Sequence, residues 1–390
     1  MTSSGKNRPS PQSDLARQAE RAFLCAIAPG DTLGLAVSGG SDSTALLVLA
    51  AETAARAGFS VCAATVDHGL RPEAAEEAEA VKAACRDLGV PHATLAWKRE
   101  ASGAVSQDEA RRARHRLLAD WAREAGAGVV ALGHTRDDRL ETFLMRVRQG
   151  SGWHGLAGLL PTGFSPVWPE GRGLKVIRPL LAFGREELRE ELRARGIAWS
   201  EDPSNTMTRF ERVRMRQLLA RMDRGTQARA LKVMDGLMEM RRSVAGEAQG
   251  LLRALMRTPD RASLPLAARS SVGAEAWRRF VEAMVMAAGG AAGPPRREAL
   301  DRLLARMGSH ARPSDPGVAA RGLDQGVTLA GATIRTLKGE VLAFGQAPPR
   351  RGEPPGPGPV WDRADQLLAL PDMRLHAVED ADGPQPSGKG

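Results

Sequence analysis

Residues Leu35-Ala36-Val37-Ser38-Gly39-Gly40-Ser41-Asp42-Ser43-Thr44 constrain this chain more than any other stretch. An apolar run ends in a small, glycine-containing loop, and a helical pattern begins at once, from residue 43 to about 56. That order predicts a strand, a tight turn and a helix N-terminus. Two glycines let the backbone approach a ligand closely. The N–H groups of the helix start, with three serine hydroxyls, form an anion cradle. Asp42 puts a carboxylate where phosphates would sit. It repels a bare phosphate, so a divalent cation such as Mg²⁺ is expected between them. The stretch lacks the Gly-Lys-Ser/Thr ending of the commonest phosphate loop.

Strand and helix signals alternate along the first half. Apolar runs at 33–37, 61–66, 93–96, 129–132 and 175–177 read as strands. Helical patterns lie between them at 43–57, 74–88, 107–125 and 137–147, and two more follow at 185–195 and 210–221. This order predicts an α/β fold, a doubly wound parallel sheet that binds its ligand at the strand C-terminal ends. Residues 150–173, rich in Gly and Pro, read as a long functional loop. From 224 to 307 the pattern is helical, with short strand-like runs at 328–329 and 341–342. The expected organisation is disorder over 1–14, an α/β domain over 15–222 and a helical domain over 223–310. A small α+β region over 311–370 and a disordered tail over 371–390 complete it.

Three further segments fall at strand ends or helix starts. Val66-Asp67-His68-Gly69-Leu70-Arg71 ends the second strand, where Asp67 and His68 can meet ribose or adenine. Arg111 and Arg114 stand three apart on one helix face, suited to gripping phosphates by forked hydrogen bonds. His134-Thr135-Arg136-Asp137-Asp138-Arg139-Leu140-Glu141 follows the fourth strand. Capping explains one carboxylate there, not three. Asp137, Asp138 and Glu141 can hold Mg²⁺ and an ammonium group, and His134 can bind a phosphate or act as acid or base. Arg209, Arg212, Arg214 and Arg216 form a basic stretch suited to phosphodiesters.

The formal charge of +9 favours a polyanionic partner, nucleic acid first. Three cysteines, Cys25, Cys62 and Cys85, stand too far apart for a zinc site or a disulfide framework. No apolar stretch reaches membrane-spanning length, and the expected location is cytoplasmic.

The loop Ser38-Gly39-Gly40-Ser41-Asp42-Ser43 resembles the pyrophosphate loop of the N-type ATP pyrophosphatases, or PP-loop superfamily. Taken with 66–71, 110–114, 134–142, Gly150-Ser151-Gly152, 178–181, 201–205 and 212–216, the chain resembles the bacterial tRNA(Ile)-lysidine synthetases over about residues 20–220. The resemblance implies an adenine nucleotide alpha hydrolase-like fold. It also implies ligation of L-lysine to C2 of the wobble cytidine in the CAU anticodon of tRNA(Ile), with ATP and Mg²⁺. The base is first adenylated, releasing diphosphate, and the lysine amine then expels AMP. Ser38, Gly39, Gly40, Ser41, Asp42, Ser43, Asp67 and His68 are then implied for ATP, and Asp42 with Asp138 for the metal. Asp137 and Glu141 are implied for lysine, and Arg111, Arg114 and His134 for catalysis. Arg148, Arg212 and Arg216 are implied as RNA contacts, and a homodimer is implied as the assembly. The sequence departs from the family pattern at Gln107, His115, Thr135, Gln149 and Val213. A PP-loop tRNA thiolation enzyme and a non-catalytic RNA-binding protein are the alternatives.

Overall fold

The computed structural model describes residues 13–67, 73–98, 106–201, 211–291, 293–307, 323–338, 340–349 and 358–369. Its first sheet contains β1 (Thr32–Ala36), β2 (Ser60–Asp67), β3 (His92–Ala96), β4 (Val129–Leu132), β5 (Thr162–Phe164) and β6 (Lys175–Ile177). Their order is β3-β2-β1-β4-β6-β5. All neighbours are parallel except β5, which runs antiparallel to β6. Every strand expected in this half forms. β5 was not expected, because three residues inside a Gly/Pro-rich loop carry no readable periodicity.

The helices of this half are α1 (Asp14–Leu24), α2 (Ser41–Ala57), α3 (Glu73–Asp87), α4 (Gln107–Glu124), α5 (Arg136–Arg148), α6 (Trp153–Leu156), α7 (Arg185–Ala194) and α8 (Glu211–Arg221). Alternation along β1 separates two cores. Leu33 and Leu35 are buried with Phe23 of α1, Leu46 of α2 and Leu188 of α7. On the other face, Leu118, Trp121 and Ala122 of α4 pack with Val130 and Leu132. Gly34 lies beneath that second core. A Cβ there would stand 3.0 Å from the Trp121 ring, so the glycine is what lets the indole lie against the strand. The strand order reverses between β1 and β4. A crevice opens there at the C-terminal ends of the two strands, so the loop after β1 and the segment after β4 face each other.

The second half contains α9 (Arg224–Leu252), β7 (Met256–Arg257), β8 (Arg261–Pro265), α10 (Ala274–Gly289), α11 (Arg297–Arg306), β9 (Val327–Leu329), β10 (Ala332–Leu337), β11 (Val341–Gln346) and α12 (Asp362–Leu368). Here the expected division at 310/311 is corrected. β8 pairs with β11, from Pro265 opposite Val341 to Arg261 opposite Gly345. Leu264, Phe280, Leu300, Phe344 and Leu368 share one core. Segments 223–310 and 311–370 therefore build one unit around a sheet of order β7-β8-β11-β10-β9. The sequence hid β8 because Arg-Ala-Ser-Leu-Pro offers one strong apolar side chain and a proline. Helix α12 crosses to the first unit. Gln366 Oε1 accepts from the Gly173 amide at 2.9 Å, and Asp362 pairs with Arg172. Of the segments read as disordered, 1–12 and 371–390 lie outside the described residues, while Ser13 and Asp14 open α1.

Candidate active site

The loop after β1 is held by its own hydroxyls. Ser43 Oγ accepts from the Ser38 amide at 3.1 Å and donates to the Gly40 carbonyl at 3.0 Å. Thr44 Oγ1 donates to the Gly39 carbonyl at 3.3 Å. Gly39 has φ +85°, a left-handed conformation that favours glycine, and its carbonyl accepts from the Ser200 amide at 2.9 Å. Gly40 is the N-cap of α2 and supplies no side-chain cap. The first turn of α2 therefore meets the crevice with its amides uncapped by any side chain, as an anion site requires.

Gly133 closes the other side. A Cβ there would lie 3.1 Å from the Ser43 amide nitrogen and from the Asp42 carbonyl oxygen. Gly133→Val is thus expected to push the start of α2 out of line and weaken ATP binding about tenfold, within the range of overpacking costs. Equilibrium titration with ATP checks it, and unchanged affinity in the folded variant counts against that close approach.

The cavity between these segments has a volume of about 500 Å³. Ser38, Gly40, Ser41, Asp42 and Ser43 line one wall, and His134 and Asp138 another. Arg111, Arg114, Arg185, Arg189, Arg212 and Arg216 also line it. Thr135 is the N-cap of α5, and its amide and hydroxyl both donate to Asp138 Oδ2 at 2.9 Å. That capping box aims Asp138 Oδ1 at the arginines.

Arg185 stands at the centre of the carboxylates. Its guanidinium lies 3.0 Å from Asp42 Oδ2, 3.6 Å from Asp138 Oδ1 and 3.6 Å from Glu141 Oε1. Burial works against its charge, and the three carboxylates more than reverse that, raising its hold on the proton. Glu141 is fully buried and also receives Arg216 at 2.7 Å and Arg212 at 3.5 Å. Its Oε2 accepts no hydrogen bond from any described residue. Burial raises the Asp42 carboxyl, opposed by Arg185 and reinforced by the like charge of Asp138. Burial and Asp138 likewise raise Glu141, against Arg216. Such strain among buried acids marks a site built for a cation or a cationic substrate.

His134 Nδ1 accepts from Arg178 Nε at 3.1 Å. Burial, then Arg178, push its pKa down to about 3. The ring is therefore neutral with its proton on Nε2, a hydrogen-bond donor. His115 is buried in the cavity wall. Burial, then Arg111, push its pKa down to about 4. An unfolded His115 binds a proton below about pH 6.5 and the folded one does not until about pH 4. Stability is thus lost as pH falls through that window, by up to about 1.4 kcal/mol per pH unit for this group. His115→Gln is expected to reduce the difference in denaturant midpoint between pH 7 and pH 5. An unaltered difference would remove His115 from the acid response.

Several expected residues sit elsewhere. Asp137 Oδ2 accepts from the Arg185 amide at 2.7 Å, so it caps α7 across the crevice rather than its own helix. Asp67 ends β2 outside the cavity lining, which is formed by Val66. His68 and Arg209 lie outside the described residues. Arg148 is exposed at the end of α5, 4.0 Å from Glu211. The expected basic stretch on α8 is divided. Arg212 and Arg216, one turn apart, meet the carboxylates, Arg214 is exposed, and Val213 is buried. Arg178, Arg185 and Arg189 were assigned no role from sequence. Arg185 carried one signal, a cation in the first turn of a helix, where the dipole disfavours it.

A PP-loop domain family matches residues 11–222. A tRNA(Ile)-lysidine synthase of Hyphomonas neptunium is 41% identical over 325 residues, covering 83% of this chain and 83% of the relative. One of Methylobacterium nodulans is 39% identical over 351 residues, covering 88% of this chain and 98% of the relative. Among solved structures, the U34-tRNA thiolase NcsA from Methanococcus maripaludis is similar with TM-score 0.49 at 16% identity, over 58% of this chain and 78% of its own.

Proposed function

This chain belongs to the tRNA(Ile)-lysidine synthases of the PP-loop group, and from that premise we propose how its own residues ligate L-lysine to C2 of the wobble cytidine. One observation carries the assignment of roles. The uncapped start of α2, the carboxylates of Asp42 and Asp138 and an array of arginines line one cavity at the switch point of the sheet, with Glu141 buried behind Arg185 and Arg216.

ATP lies with its β and γ phosphates on Ser38–Ser43, steadied by Arg111 and Arg114 from α4. The residues fit Mg²⁺ as a shared ion. Asp42 and Asp138 both reach the Arg185 guanidinium, while no group of three or more ligating side chains suited to an all-protein cage occurs among the described residues. Two carboxylates with phosphate oxygens are the usual Mg²⁺ set. When bound, the ion neutralises phosphate charge that the two aspartates would otherwise repel.

The cytosine O2 is a poor leaving group until it is adenylated. The arginines around the cavity and the His134 Nε2–H stabilise the negative charge that builds on the α phosphate in that step. Lysine then attacks C2 and AMP leaves. Glu141 Oε2, buried, 3.5 Å from Arg212 Nε and accepting no hydrogen bond from any described residue, is the acceptor we assign to the lysine α-ammonium, while Asp137, one turn away on α5, is engaged with the Arg185 amide. Arg185 occupies the cationic position among the carboxylates and yields it, at least in part, to the ion and the substrate. The anticodon base must leave its stack to reach this depth.

The thiolation alternative needs reactive sulfur. Cys25 ends α1, Cys62 lies in β2 and Cys85 is buried in α3, so the three stand on separate elements. Burial raises the thiol pKa of Cys62, and that of Cys85 to about 11. None of the three lines the cavity. Incubation with labelled lysine, ATP, Mg²⁺ and CAU-anticodon isoleucine tRNA tests the reading. Lysine in that tRNA, AMP released and methionine tRNA untouched are expected. AMP without lysine incorporation would turn the reading toward another nucleophile, and no AMP at all toward a binding protein. Sedimentation of the same preparation tests the homodimer.

A further inference from the structure

A second cavity, of about 420 Å³, opens between the two units, bounded by α5 and α6 on one side and α9, α10 and α12 on the other. Arg111, Arg146, Arg178, Arg241, Arg279 and Arg363 line it, against one carboxylate, Glu282. Glu282 is already paired with Arg279 at 3.0 Å. Most of the arginines also have fixed duties. Arg146 donates to the Gly155 and Gly158 carbonyls, and Arg178 to the Leu160 carbonyl at 2.8 Å. Arg363 is 3% exposed, donates to the Met286 carbonyl at 3.3 Å and stacks on Trp168.

Arg241 differs. It makes no hydrogen bond or ion pair with any described residue. Burial, then Arg279 and Arg146, push its pKa down to about 10. His154 lines the same cavity, and burial with Arg241, Arg279 and Arg146 keeps it neutral, with a pKa of about 2. A partly buried cation among other cations, with no acceptor among the described residues, is an arrangement that an anion relieves. The cavity also adjoins the reacting centre. Arg111 lines both cavities, and Arg178 in this wall donates to His134 in the wall of the other.

We propose that this second cavity is a phosphate-binding site anchored by Arg241, and that the phosphate it takes is a phosphodiester of the RNA substrate. The second half rests on the function proposed above. A phosphodiester held here stands one side chain from the adenylation centre, which fixes the strand while its base is unstacked. Guanidinium forks suit phosphate oxygens, and His154 adds a neutral donor. Free inorganic phosphate offers the same chemistry, and the test separates the two.

The experiment uses the full chain and Arg241→Gln, with Arg241→Lys as the charge-conserving control. Isoleucine tRNA binding is measured across a salt series, and inorganic phosphate is titrated calorimetrically. For Arg241→Gln, tRNA affinity is expected to fall about five- to tenfold, and the slope of log affinity on log salt to shrink by about 0.7–0.9, one phosphate's worth. Arg241→Lys is expected to restore the slope. ATP affinity of each variant reports on the integrity of the first cavity. Phosphate binding lost in Arg241→Gln with an unchanged tRNA slope would support the site and overturn the RNA source. No change in either titration overturns the site. Failure of lysine transfer by the unmodified chain would instead sink the functional reading, whatever the salt slopes.

Discussion

Asp42→Asn is expected to lower the rate of AMP formation about 10³-fold, roughly 4 kcal/mol of transition-state stabilisation, with the fold retained. The substitution keeps the size of the side chain and removes its charge. Asp42 lies in the first turn of α2, beside the uncapped amides, where a carboxylate is the wrong charge for phosphate alone. Its partners are Arg185 at 3.0 Å and the neighbouring Asp138, and burial already raises its carboxyl. The helix dipole and Arg185 favour a carboxylate in that first turn and burial opposes it, so Asp42→Asn should change stability by less than about 1 kcal/mol. Chemistry and stability therefore move apart. Single-turnover AMP release and a denaturation curve on the same preparation measure both. AMP formation within a few-fold of the unmodified enzyme would remove Asp42 from the metal site.

Glu141→Ala is expected to act in the opposite manner, costing about 2–4 kcal/mol of stability as well as raising the lysine KM at least tenfold. Its carboxylate, 0% exposed, compensates Arg185, Arg212 and Arg216, whose side chains are 20%, 38% and 30% exposed. Removing it leaves three guanidinium groups facing one another. Their partial exposure lets water take over some of the loss, which keeps the cost below that of a fully buried pair. Glu141→Gln separates the two roles. It retains the acceptor for Arg216 and lacks the charge for an ammonium group, so the lysine KM should stay high while much of the stability returns. A lysine KM unchanged in both variants would take Glu141 out of the lysine site and leave it a positioning residue for the arginines.

Much of the first half was legible. Periodicity located the five strands that carry the sheet core, because a doubly wound sheet needs apolar runs on both faces. The loop after β1 was legible for a different reason. Its glycines and hydroxyls make local contacts within six residues, such as Ser38 to Ser43 and Thr44 to Gly39, so its conformation is encoded where it occurs. The clustering of acids after β4 could also be read from helix spacing. Strand β8 could not, since its pairing with β11 joins segments some eighty residues apart and its own side chains carry little β preference.

The sequence by itself determined the sheet, the phosphate loop and the presence of surplus carboxylates at a strand end, since each depends on spacing within a dozen residues. The tertiary structure decided what those groups do to each other. Asp137 and Glu141 are four residues apart on one helix. Yet one caps α7 and the other gathers three arginines from two distant helices. Arg241 reads in sequence as one more solvated helix charge. Only the packing of α9 against the first unit places it, partly buried, among other cations with no acceptor among the described residues. Spacing along one helix fixes which residues share a face, while the charge and burial of the opposing surface fix their chemistry, and that surface comes from elsewhere in the chain.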